Sequence, residues 1–140
     1  MRTKKAGTVV SILILLLVAG YFIATDRVGI RVTLGEDSFS VKALSFSETV
    51  LYADIESVTT ASHIDYGTRT LGSDTISVKT GTFRTPQFGS YRCAVVSAQK
   101  EVIVVKKYDG SYLVFNTKDS DQLSLLAQRL QQAVSSRAAG

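Results

Sequence analysis

Val102-Ile103-Val104-Val105-Lys106-Lys107-Tyr108-Asp109-Gly110-Ser111-Tyr112-Leu113-Val114-Phe115 reads as two apolar arms around a polar tip. Asp109-Gly110 is the dipeptide that accepts the positive φ angles of a tight hairpin turn. The unbroken apolar run in each arm predicts central strands covered on both faces. The period then changes. Leu123, Leu126, Leu130 and Val134 recur at three- and four-residue steps, with Ala127 and Ala133 beside them. Gln122, Gln128, Arg129 and Gln131 take the opposite face. This pattern predicts an amphipathic helix of about 15 residues. Asp119 or Ser120 can cap it, and Gln122 follows Asp119 by three, close to a capping box. Ser135 to Gly140 is expected to fray.

Upstream, the chain is rich in Val, Thr, Ser, Tyr and Phe, with Pro86 as its single proline. Ile30 to Leu34 alternates with period two, and Gly35-Glu36-Asp37 turns the chain into a partner strand from Ser38 to Leu44. Thr49 to Tyr52 leads through a short bend into a strand ending near Val58. His63 to Gly72 reads as polar and turn-rich. Ile76 and Val78 mark a strand ending at Gly81, Thr82 to Gly89 a loop, and Tyr91 to Ser97 another strand. The count is about seven strands followed by one helix, a mainly β (α+β) domain. A terminal amphipathic helix is suited to plug a bent antiparallel sheet or open barrel.

The N-terminus is of a different kind. Val9 to Ala24 carries no charge and follows Arg2, Lys4 and Lys5. Thr8 to Thr25 would span roughly 27 Å as a helix, the short end of what a hydrocarbon core of about 30 Å requires. Tyr21 and Phe22 fall where aromatic rings suit the interface. The rival is a cleaved signal peptide, for which Val18-Ala19-Gly20 is the one passable cleavage match. The expected organisation is a basic cytoplasmic tail (1–7), a transmembrane helix (8–25) and a folded domain (26–140). Positive residues beside a first helix stay inside, so the cell membrane is the expected location. The N-terminus is then cytoplasmic and the domain extracytoplasmic.

Tyr52-Ala53-Asp54-Ile55-Glu56-Ser57-Val58 is similar to the "Y-x-D-I-x-S-V" motif of bacterial pleckstrin-homology-like domains found behind membrane helices. Gly67-Thr68-Arg69-Thr70-Leu71-Gly72, Gly81-Thr82-Phe83 and Gly89-Ser90-Tyr91 echo that family's glycine-punctuated middle. With the hairpin and closing helix, the resemblance covers roughly Gly29 to Val134. It implies a seven-stranded bent sheet closed by a C-terminal helix. Many such relatives carry paired membrane helices, whereas this chain has one apolar segment.

Composition excludes some functions. The net charge is +4 and the pI about 9.3, but three of the sixteen basic residues are Arg2, Lys4 and Lys5. Without them the charge is nearly balanced against twelve acidic residues, so no nucleic-acid partner is expected. One cysteine, Cys93, cannot form an internal disulfide. One histidine, His63, stands near Asp65, and a nucleophile–base pair of Cys93 and His63 is the weak catalytic alternative. A metal site would need three or four clustered ligands; no catalytic, metal or cofactor residues are assigned. Gly35-Glu36-Asp37 is acidic and should repel phosphate. The candidate binding residues are Arg69, Arg84, Phe88, Tyr91 and Arg92, arginines and aromatics collected in the turn-rich middle. The expectation is a membrane-anchored, non-enzymatic binding or scaffolding module. Its partners would be the bilayer through residues 8–25 and a protein or anionic lipid. The alternative is an accessory subunit of an envelope or transport complex.

Overall fold

The computed structural model describes residues 23–25, 30–43, 46–74 and 77–139. Its strands are β1 (Ile23–Thr25), β2 (Arg31–Leu34), β3 (Ser38–Ala43), β4 (Phe46–Leu51), β5 (Ile55–Ser62), β6 (Thr68–Asp74), β7 (Val78–Thr85), β8 (Gly89–Val96), β9 (Glu101–Lys107) and β10 (Tyr112–Phe115). A 3₁₀ turn, Tyr52–Asp54, joins β4 to β5, and the helix α1 covers Ser120–Ala139. The expected single bent sheet of about seven strands is instead two sheets. One has the order β1-β2-β3-β4, the other β5-β9-β10-β8-β7-β6. Among the described residues the strands do not close into one barrel.

The alternation read in the sequence is the burial pattern of the first sheet. Val32, Leu34, Phe39, Val41, Phe46 and Val50 point inward. They meet Ala94, Val96, Ile103, Val105, Leu113 and Phe115 from the second sheet, and Leu123, Leu126, Ala127 and Leu130 from α1. Phe39 stands 5.5 Å from Phe115, centroid to centroid. Fully burying each large apolar side chain contributes about 1.5–3 kcal/mol over leaving it exposed, and this layer is the main source of stability.

The central hairpin forms as its sequence predicts, with a different turn. Gly110 N donates to Lys107 O at 3.0 Å and Lys107 N to Ser111 O at 2.9 Å. Gly110 alone takes a positive φ, 89°. The loop is therefore Tyr108-Asp109-Gly110, a turn closed by a left-handed glycine. Asp109 Oδ1 accepts from Ser111 N and Oγ at 2.8 and 2.6 Å, and these bonds hold its carboxyl below the usual range.

α1 begins as expected. Asp119 Oδ1 accepts from Asp121 N at 2.8 Å and Gln122 N at 3.2 Å, which makes Asp119 the cap. The helix then runs through Ser135 to Ala139, longer than the sequence suggested.

Three readings need correction. Thr68 to Gly72, expected within a turn-rich stretch, belongs to strand β6. β7 continues through Thr85, so the loop expected at Thr82 to Gly89 shrinks to Pro86-Gln87-Phe88. β10 pairs β8 in parallel, Val114 opposite Cys93, where an all-antiparallel sheet was expected. Asn116 fixes this junction. Its Oδ1 accepts from Val96 N at 2.6 Å, and its Nδ2 donates to the carbonyls of Val96, Gln99 and Glu101.

Of the segment expected to span the membrane, Ile23–Thr25 is strand β1, antiparallel to β2. The remainder of the segment lies outside the described residues. Among those described, no helix is long and apolar enough to cross a membrane.

Candidate functional site

The second sheet is two strands wider than the first, and the surplus makes a ledge. The first sheet's cover ends at β4, whose Phe46 and Glu48 reach Arg92 on β8. The Arg92 guanidinium lies 4.5 Å from the Phe46 ring centre, donates from Nε to Glu48 Oε2 at 3.1 Å, and from Nη1 to Thr82 Oγ1 at 3.0 Å. Glu48 also faces Lys107 Nζ at 3.9 Å. Arg92 is thus an inter-sheet bracket.

Beyond it, β7 and β6 extend without a covering sheet. A slot of about 280 Å³ lies between Phe46, Leu71, Thr80 and Arg92, floored by Gly72 and Gly81. These two glycines face each other across the ladder at φ 106° and 124°. A Cβ on Gly81 would fall 2.1 Å from Leu71 O, so glycine is required for the two strands to approach. Leu71 is 69% exposed. Next to the slot is an open groove of about 650 Å³ lined by Thr68, Thr70, Arg84, Thr85, Pro86 and Gly89. Thr85 Oγ1 shapes its end by accepting from Phe88 N at 2.9 Å.

The other face of the same strands is a closed aromatic cluster. Phe83, Phe88, Tyr91, Cys93, Val95, Val102, Val104 and Val114 pack together under Ile64 and Tyr66. The Phe88 ring lies tilted against Tyr91 and Tyr112, with ring centroids 5.2 and 4.9 Å away. Tyr91 Oη donates to Tyr66 O at 2.7 Å. Burial raises the Tyr91 phenol far above its ordinary range, with Cys93 and Tyr66 adding to it. Burial, then Cys93, pushes Tyr66 up to about 12.

The five residues singled out in the sequence are therefore divided by the sheet. Consecutive strand residues point to opposite faces. Arg92 and Tyr91 obey this, one toward Phe46 and the other toward Phe83. Register pairs Thr68 with Arg84 and Arg69 with Phe83, placing Arg69 on the aromatic side. Arg84 alone of the five is both exposed and part of the groove. Phe88 and Tyr91 are 8% and 2% exposed and serve the core. Sequence reasoning missed Phe46, Thr68, Thr70, Leu71, Thr85 and the paired glycines. The alternation Thr80-x-Thr82-x-Arg84 was the one available signal of a polar sheet face.

Cys93 is fully buried, whereas His63 is exposed at the end of β5 with φ 53°. Among the described residues no three His, Cys, Asp or Glu side chains gather as metal ligands.

Two packed sheets and a C-terminal helix plugging one side define a domain of PH-like architecture. The family model described as "Bacterial PH domain" matches residues 30–130, and the chain belongs to that family. No curated protein and no solved structure matches it.

Proposed function

We propose that this protein is a non-enzymatic binding module, tethered to the cell membrane by its N-terminal apolar segment. The ledge of β6 and β7 would hold an anionic group of a protein or lipid partner. The tail at 1–7 is cytoplasmic and the domain extracytoplasmic in this reading. Membership of the bacterial PH domain family supports a binding or scaffolding role. The observation that carries the choice of surface is Arg84. It is exposed in the groove, in a chain whose other site arginine on that face, Arg92, is already engaged by Glu48. An arginine beside threonine hydroxyls offers the fork and the single donors that a carboxylate or phosphate accepts. Leu71 and Phe46 next to it supply apolar contact.

The test uses the full chain in phosphatidylcholine nanodiscs. It is offered acidic peptides on one hand and phosphatidylglycerol vesicles on the other. Arg84→Gln should lose capture of one of them with an unchanged melting temperature. Arg92→Gln should lower the melting temperature as well, because it breaks an inter-sheet contact. Unchanged capture by Arg84→Gln would remove the ledge as the site.

A further inference from the structure

The aromatic side of the second sheet carries a cavity that the ledge does not share. β5 ends at Ser62, and His63 leaves it at φ 53°, its N donating to Lys100 O at 3.0 Å. Residues 63–67 then cross the sheet as a strap. Ile64 and Tyr66 pack on the aromatic cluster, and Tyr66 O accepts from Tyr91 Oη at 2.7 Å. Asp65 Oδ1 accepts from Gly67 N at 2.9 Å where the strap turns into β6. The strap is thus held at both ends and in its middle.

Facing it is the β8–β9 turn. Ser97 N donates to Ser77 O at 2.9 Å, Lys100 Nζ to Ser97 O at 3.1 Å, and Asn116 Nδ2 to Gln99 O at 3.1 Å. Strap and turn bound a cavity of about 350 Å³ lined by His63, Ile64, Tyr66, Lys79, Ser97 and Lys100. Ile64 and Tyr66 give it apolar walls. Lys79 enters from β7 opposite Val95, with its ammonium 5.9 Å from the Tyr66 ring centre. Among the described residues no carboxylate belongs to this lining. Ser97 Oγ is buried and has no hydrogen-bond partner among the described residues. A buried donor in that state costs stability, and this one shares its cavity with two ammonium groups.

We propose that the cavity binds a small organic monocarboxylate with an apolar or aromatic body. The Ser97 hydroxyl donates to the carboxylate, and Lys100 and Lys79 supply the charge. Lys100 gives one donor to Ser97 O and keeps two more. Ile64 and Tyr66 flank the body of the ligand. Register sets Asp74 opposite Lys79, so the local excess is nearer one positive charge than two. That favours a carboxylate over a phosphate, which carries almost two negative charges at neutral pH. A cavity of about 350 Å³ stands at the small end of ligand sites, which suits a small molecule rather than a peptide chain. The site lies on the reverse of the sheet from Arg84 and depends neither on the ledge nor on the membrane anchor.

The full chain in phosphatidylcholine nanodiscs is titrated with phenylacetate, its neutral amide phenylacetamide, and inorganic phosphate. Binding is followed by ligand-observed NMR, with empty nanodiscs as the blank. Phenylacetate is expected to bind saturably, and the amide about tenfold more weakly, as loss of a charge-assisted contact implies. Lys100→Gln should weaken phenylacetate by a similar factor. Ser97→Ala should weaken it too, while its melting temperature stays level or rises, because the lost hydroxyl has no partner to leave behind. Arg84→Gln should bind phenylacetate unchanged. Equal binding of acid and amide, or no saturable binding, overturns the proposal. Phosphate bound more tightly than phenylacetate would reveal an inorganic-anion site and overturn it as well. Loss of phenylacetate in Arg84→Gln would assign the ligand to the ledge and overturn this cavity while the ledge stands.

Discussion

Asn116 concentrates more structural consequence than any other polar residue described. It is fully buried and its side chain makes four hydrogen bonds to backbone around the β8–β9 connection. Removing it leaves Val96 N–H and buried carbonyls without partners, each costing about 1–3 kcal/mol. Asn116→Ala should therefore lower stability by about 2–4 kcal/mol in denaturant unfolding. Asn116→Asp should also destabilise, because it replaces the Nδ2 donor with an acceptor facing three carbonyls. Tyrosines set the alkaline limit. Burial pushes Tyr52 and Tyr66 up to about 12. Their folded values exceed the unfolded value of about 10. Their contribution to stability is then complete below pH 10 and is lost as pH rises from 10 through 12. Unfolding midpoints measured across that window should fall, and Tyr52→Phe should make the fall shallower. An alkaline limb identical in Tyr52→Phe would contradict the assignment.

At the scale of elements, α1 closes the core, and its loss should be felt throughout. Leu126 is fully buried against the sheets, and Gln131 Nε2 donates to Val58 O at 3.1 Å. Leu126→Ala should cost about 2–5 kcal/mol, read from chemical denaturation. A domain lacking 120–140 that melts like the full chain would show the helix to be an appendage. Elements also separate what was legible from what was not. The β9–β10 hairpin was legible from two unbroken apolar arms around Asp109-Gly110, and α1 from its three- and four-residue period and its cap, although the helix runs further than that period. β6 was missed because Thr68-Arg69-Thr70-Leu71-Gly72-Ser73-Asp74 is an edge strand with a bulge at Thr70. Its side chains from 68 to 72 are exposed on both faces, so no apolar period marks it. β4 was only half seen, since Ser47, Glu48 and Thr49 face outward or into an ion pair.

For the whole molecule, the order of events along the chain is an apolar segment, two sheets and a closing helix. If the N-terminal segment anchors the protein, Leu15→Arg should cost about 2.5–3.5 kcal/mol on insertion scales. The variant should then appear in the soluble fraction or be degraded, as followed by fractionation. A mature terminus near Tyr21 by mass spectrometry would instead establish cleavage. Topology can be read by labelling a cysteine placed at Ser136 with a reagent that cannot cross membranes.

Local chemistry sufficed for a mainly β domain, the β2–β3 and β9–β10 turns, the capped amphipathic helix and most of the core. Each depends on period, turn residues or a cap within a few positions of chain. The tertiary structure decided what depends on partners far apart in sequence. Glu48 reaches Arg92 across 44 residues, and β10 inserts between β9 and β8 to give the parallel pair. That insertion sets which face of β8 meets the first sheet. It thereby turned a cluster of arginines and aromatics, contiguous on paper, into an exposed ledge on one side and a closed core on the other. No residue's type records which strand will lie beside it, because pairing is chosen by the burial of the whole sheet.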